Sequence, residues 1–158
     1  MPTVTDVQGR TWSIDITVAT LKRVRSLTGI DLLEAVGGPL LDRLVADPVL
    51  LGDVLYAVVK PQADERRVSD EDFGRALAGD VIDAATTALL EAFVAFFPSP
   101  RRRVLQKAVA KLAGWRAAAL TAAEAKLDDP ALEAAVQAAL AGTSSGSVPA
   151  SSGSIPAG

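Results

Sequence analysis

The densest run of chemistry-bearing side chains lies between positions 64 and 72: Asp64, Glu65, Arg66, Arg67, Ser69, Asp70, Glu71 and Asp72. Carboxylates this close could hold a divalent cation. A calcium loop of the EF-hand kind needs acids at alternate positions, a central glycine and a distal glutamate, and the run lacks that spacing. It reads better as an exposed polar loop over 61–68 followed by a helix start. Ser69 caps, and the three acids after it fill the first turn, where the helix dipole favours negative charge.

Two basic clusters come next. Arg101, Arg102 and Arg103 stand together, with Lys107 and Lys111 at helical spacing below them. They could meet nucleic acid or an acidic protein surface, or form a solvated face opposite Val104, Leu105 and Ala108. Arginine at a helix N-terminus opposes the dipole. That local cost favours a purpose for the triplet, and an ionic contact with a partner fits best. Lys22, Arg23 and Arg25 form the second cluster, read as a solvated helix face. No tight helix pair presents a polar recognition helix, and no Walker or dinucleotide pattern occurs.

The chain contains no Cys and no His. Thiol nucleophiles, disulfides, zinc sites built on Cys or His and imidazole acid–base chemistry are therefore excluded. Serines and threonines remain, but none sits in a G-x-S-x-G elbow and the usual base is missing. Neither catalysis nor a cofactor or metal is expected.

The 158 residues suit one domain, or one domain with a tail. Hydrophobic residues make up 49% of the chain and aromatics only 4%. Much of the apolar share is alanine, which buries little area, so helices must pack closely and self-association would supplement a modest core. The net charge of −3 argues against nucleic acid as the main partner. The stretch Thr3–Arg10 is too polar for a signal peptide, and the longest apolar runs fall far short of the roughly 20 residues of a membrane span. Absence of Cys fits a reducing compartment, so a cytoplasmic location is expected.

These features have to be positioned by a mainly α fold. Val4 to Ile16 reads as a β-hairpin around Gln8-Gly9, with Trp12, Ile14 and Ile16 alternating onto one face that must rest on helices. Thr17 caps a helix over 18–27 that Gly29 ends, with Val18, Leu21, Val24 and Leu27 at helical spacing. Asp31 caps a short helix, and Pro39 opens another with Leu40, Leu41, Leu44 and Val45. Asp47-Pro48 starts a helix that Lys60-Pro61 is expected to stop near Val59. Ser69 and Asp80 start two more. The second, over 81–97, has Ile82, Ala85, Leu89, Leu90, Phe93 and Phe97 inward. Pro98-Ser99-Pro100 then breaks the chain.

A long helix from Pro100 to Leu127 follows, and Asp129-Pro130 starts a last one to about Ala141. Residues 143–158 are Ser, Gly, Pro and Ala with isolated Val148 and Ile155, a composition that reads as a disordered tail. The expected organisation is a hairpin packed on a multi-helix bundle over 1–98, a helical extension over 99–142, and that tail.

Trp12-Ser13-Ile14-Asp15-Ile16-Thr17-Val18, the Leu21-Lys22-Arg23-Val24-Arg25 helix, and Asp72-Phe73-Gly74-Arg75-Ala76-Leu77-Ala78-Gly79-Asp80 through Phe96-Phe97 are similar to small prophage proteins grouped with the phage tail assembly chaperones. The similarity covers roughly 1–112. It implies a short β N-terminus, a helical body and a variable tail, with no catalytic residues. It further implies binding to the long helical tape measure protein, which is kept soluble, and recruitment of tail tube subunits. Several members of that family are made in a short and a frameshifted longer form. The extension over 99–127 is the expected contact, with Leu105, Val109, Leu112 and Trp115 as anchors and Arg101, Arg102 and Arg103 as ionic contacts. A structural head–tail connector or tail completion protein is the alternative, and a DNA-associated regulator using the arginine triplet is a third reading.

Overall fold

Residues Thr3–Thr5 (β1) and Thr11–Ser13 (β2) pair antiparallel, with Val4 opposite Trp12. The structure, a computed structural model, describes residues 1–142. The 143–158 segment, expected as a disordered tail, lies outside the described residues.

Alternation along the hairpin sends Val4, Trp12, Ile14 and Ile16 inward, and all four are buried. A two-stranded ribbon is marginal alone, and three features hold this one. Asp6 collects its turn: the carboxylate accepts from the backbone N–H groups of Gln8 and Arg10, from Arg10 Nε, and from the Trp12 indole at 2.9 Å. Burial alone would push this carboxyl up. The Trp12 indole, with Arg10 and Gln8, outweighs that and holds Asp6 below the ordinary 3.8. Val7 N–H reaches the Ala76 carbonyl, and Trp12 packs edge-on against Phe73 at 5.3 Å.

The helices are α1 (Val18–Thr28), α2 (Leu40–Ala46), α3 (Pro48–Glu65), α4 (Asp70–Arg75), α5 (Asp80–Phe96), α6 (Ser99–Leu127) and α7 (Pro130–Gly142), with a 3-10 turn at Leu32–Ala35. The expected starts hold. Thr17, Asp31, Asp47 and Ser69 each accept a backbone N–H of the element they open. Gly29, at φ 73, closes α1 in the left-handed conformation. The start of α5 differs: Gly79 is its N-cap, and no side chain caps it.

Helix α3 is the hub of the first unit, which runs from Met1 to Leu112; it packs on α1, α2, α4, α5 and β2. Leu51, Val54, Leu55 and Val59 on α3 are essentially inaccessible. Each such side chain contributes about 1.5–3 kcal/mol by leaving water.

The expectation that Lys60-Pro61 stops α3 is wrong. The helix continues through Pro61 to Glu65. A proline inside a helix lacks the N–H that would bond the carbonyl four residues back, here Ala57. That carbonyl has another donor: Arg23 Nε lies 2.7 Å from Ala57 O, and Arg23 Nη2 lies 2.8 Å from Val58 O. The guanidinium of α1 thus repairs the defect, and Arg23 is a structural residue rather than part of a solvated face.

The polar loop expected over 61–68 is corrected for the same reason. Gln62 pairs with both the N–H and the C=O of Ser13, at 3.0 and 2.8 Å, in the manner of one more strand residue. Arg66 donates to Thr11 O and lies over the Trp12 ring at 4.7 Å. Ala63 and Val68 are buried. The real end of α3 is a Schellman turn without glycine. Arg67, at φ 55, donates to Asp64 O, and Val68 N–H reaches back 2.8 Å to Ala63 O.

The first unit also closes later than position 98. It extends to Leu112 because Leu105 is only 1% exposed and Val109 and Leu112 pack partly against the same core. The second unit begins at Ala113 and contains the distal part of α6 and all of α7.

Candidate interaction surfaces

The arginine triplet opens α6, and its members have separate fates. Helix α5 carries no basic residue in its last turn, and the chain then enters Pro98 and Pro100, which have no N–H to offer its final carbonyls. Arg102 supplies the missing donors. Its Nε lies 3.1 Å from Phe97 O and its Nη2 3.1 Å from Ala95 O. Arg102 therefore caps α5, a role that the sequence reading of it as a partner contact did not include, while its side chain remains exposed. Arg101 and Arg103 are exposed.

The expected anchors divide in the same way. Leu105 sits in the core, so it cannot serve as a surface anchor. The face of α6 that carries it is the one the first unit needs to close over its apolar interior. Val109 and Leu112, at i+4 and i+7 from Leu105, continue that face and are half-buried. Trp115 is 70% exposed, and it belongs to a different set. From Ala113 to Gly142 the apolar side chains large enough to matter all face water: Trp115, Leu120 and Leu127 on α6, then Leu132, Val136 and Leu140 on α7. Among the described residues of this second unit none is buried. A helical arm with this many open apolar side chains has no core of its own to bury them in.

A second surface escaped sequence reasoning. On α1 the apolar spacing did not mark a wholly inward stripe: Val24 is fully buried with Thr20, but Val18 is 58% exposed. Val18 and Leu21 line an apolar groove of about 500 Å³ with Leu33, Phe96 and Phe97. Lys22, Arg25 and Arg101 stand at its margin. Arg25 also pairs with Asp31. The only sequence signal was a helix whose apolar stripe is wider than its buried contact. Two smaller clefts of about 380 and 370 Å³ flank Asp53 and Asp70, the first lined by Val49, Leu77 and Ile82 and the second by Leu27, Tyr56 and Lys60.

The acid-rich run resolves into local structure. Asp64 pairs with Lys60, Ser69 Oγ accepts from Asp72 N–H, and Arg75 pairs with Glu71 and Asp72. Among the described residues no group of three or more acids is placed to hold a metal ion, and no helix is long and apolar enough to cross a membrane. Compared with known proteins, the chain matches no family model, and no curated protein or solved structure is significantly similar to it.

Proposed function

We propose that the chain is a non-catalytic binding protein of the host cytoplasm, a phage tail assembly chaperone. In this reading it covers the apolar helices of a tape measure protein and helps bring tail tube subunits to it. The observation that carries the reading is the arm beyond Leu112, where Trp115, Leu120, Leu127, Leu132 and Val136 are all exposed on helices. Exposed apolar side chains in this number mark a surface made to be covered, and helix against helix is the simplest way to cover a long apolar helical partner. The resemblance of 1–112 to the tail assembly chaperones supplies the identity of that partner. Absence of His and Cys supports the non-catalytic half.

Of the expected anchors Trp115 is kept, and Leu120 and Leu127 take the place of Leu105, Val109 and Leu112. Leu105→Asp would damage the core and say nothing about binding. The test is co-expression with a tape measure protein, comparing the wild-type chain with Trp115→Asp/Leu120→Asp/Leu127→Asp. The wild-type chain should keep the tape measure protein in the soluble fraction, and the triple variant, still helical by circular dichroism, should not. Equal solubility with both chains overturns the assignment. Recovery of the chain in purified particles would favour a connector or completion protein instead.

A further inference from the structure

The apolar groove with a basic margin and the helix α7 are complementary in two independent respects. The groove offers Val18, Leu21, Leu33 and Phe96 as its apolar floor, with Lys22 and Arg101 at the margin. The described ion pairs engage Arg25 with Asp31 and include neither Lys22 nor Arg101. Helix α7 has the opposite character. Leu132, Val136 and Leu140 recur every fourth residue and are 41%, 51% and 68% exposed. Asp128, Asp129 and Glu133 lie at its start, and no Lys or Arg occurs between positions 127 and 142. Its 13 residues make a rod of about 20 Å. An acidic, singly striped helix of this kind is what a groove with an apolar floor and a cationic margin binds best, since apolar burial gives affinity and charge fixes orientation.

We propose that α7 of a second copy of the chain occupies this groove, so that copies associate through Leu132 and Val136 on the Val18, Leu21 and Phe96 floor, with Lys22 and Arg101 facing Asp129 and Glu133. The contact joins unlike surfaces, so each copy carries one of each. Two copies can then exchange α7 reciprocally, or a series can link head to tail. The inference goes beyond the chaperone reading and does not depend on it: the tape measure anchors tested there are Trp115, Leu120 and Leu127, whereas Leu132 and Val136 carry the contact between copies.

The test uses the full chain and light scattering after size exclusion at about 100 μM, where an interface of micromolar affinity is nearly saturated. The wild-type chain should show at least twice the 16.3 kDa of one copy. A groove variant, Lys22→Glu/Arg101→Glu, and an arm variant, Leu132→Asp/Val136→Asp, should each run as single copies. Both alter exposed or half-exposed positions, and an unchanged urea midpoint checks that the first unit stays folded. Reversing both cations should weaken association about 1,000-fold, which leaves single copies dominant at that concentration. Mixing the two variants should restore a two-copy species, since one intact groove then meets one intact α7. Adding Asp129→Lys/Glu133→Lys to the groove variant should restore association by charge exchange. A wild-type chain of single-copy mass overturns the proposal, whether the groove then takes α7 of its own chain or an acidic helix of another protein. So does a variant that keeps the oligomeric mass, or a mixture that remains single copies.

Discussion

Replacing Arg23 by Met should destabilise the first unit by about 2–3 kcal/mol. The figure follows from what the guanidinium touches. Ala57 is 1% exposed, and Pro61 has removed the helical N–H that would otherwise bond its carbonyl. Arg23 Nε supplies that bond at 2.7 Å and Nη2 a further one to Val58 O at 2.8 Å. A hydrogen bond from a charged donor contributes about 1.5–3 kcal/mol, and a buried acceptor left without one costs about 1–3 kcal/mol. Methionine keeps most of the aliphatic stem, so lost packing is a minor part. The decisive assay is a double-mutant cycle in urea with Pro61→Ala as the second change. Alanine restores an N–H at position 61, which can bond Ala57 O in the ordinary helical way. Arg23→Met should therefore cost at least about 1 kcal/mol less in the Pro61→Ala background, a coupling well above the ~0.3–0.5 kcal/mol expected of independent sites. Equal cost in both backgrounds would refute the idea that Arg23 repairs a proline defect.

Other predictions follow from burial and charge. Asp6→Asn should destabilise the hairpin at pH 7 and flatten the acid limb of the stability curve. The folded carboxyl lies below its ordinary 3.8, so the folded state binds fewer protons than the unfolded one. Its stabilisation is present above 3.8 and lost as pH falls through the lower folded value; urea midpoints at pH 7 and pH 3 would show a smaller difference in the variant. Leu105→Ala should cost about 2–5 kcal/mol, as for a core leucine, while Trp115→Ala should stay within about 0.5 kcal/mol. Similar costs for the two would contradict the placement of the unit boundary at Leu112.

Much of the fold was legible because its signals are local. Thr17, Asp31, Asp47 and Ser69 bond N–H groups within three residues of themselves, and Trp12, Ile14 and Ile16 alternate as any half-buried strand does. The failures share one cause, which is a partner distant in sequence. Pro61 looked like a stop because the residue that tolerates it, Arg23, is 34 positions from Ala57. Gln62 looked like a loop residue because its partner, Ser13, is 49 positions away. The true stop used Arg67 where a glycine would have announced it. On α6, the arginine triplet and the leucine stripe were visible, but which members face the core was not. Leu105 is taken up by the first unit's interior and Arg102, though exposed, is bonded to carbonyls of α5, whereas Arg101, Arg103 and Trp115 are exposed. The groove beside α1 was illegible because nothing local distinguishes an apolar residue that meets a neighbour from one that lines a gap.

The chain's two tryptophans allow the binding claim to be read directly. Trp12 is 0% exposed and Trp115 is 70% exposed, so an external quencher such as acrylamide samples mainly the arm. The measurement is quenching of the full chain, alone and with a soluble, tryptophan-free helical fragment of a tape measure protein. The account predicts that the accessible fraction falls and the emission shifts to the blue as the fragment saturates the arm, with Leu120→Asp/Leu127→Asp abolishing both changes. Quenching and emission that stay constant up to saturating fragment would contradict it.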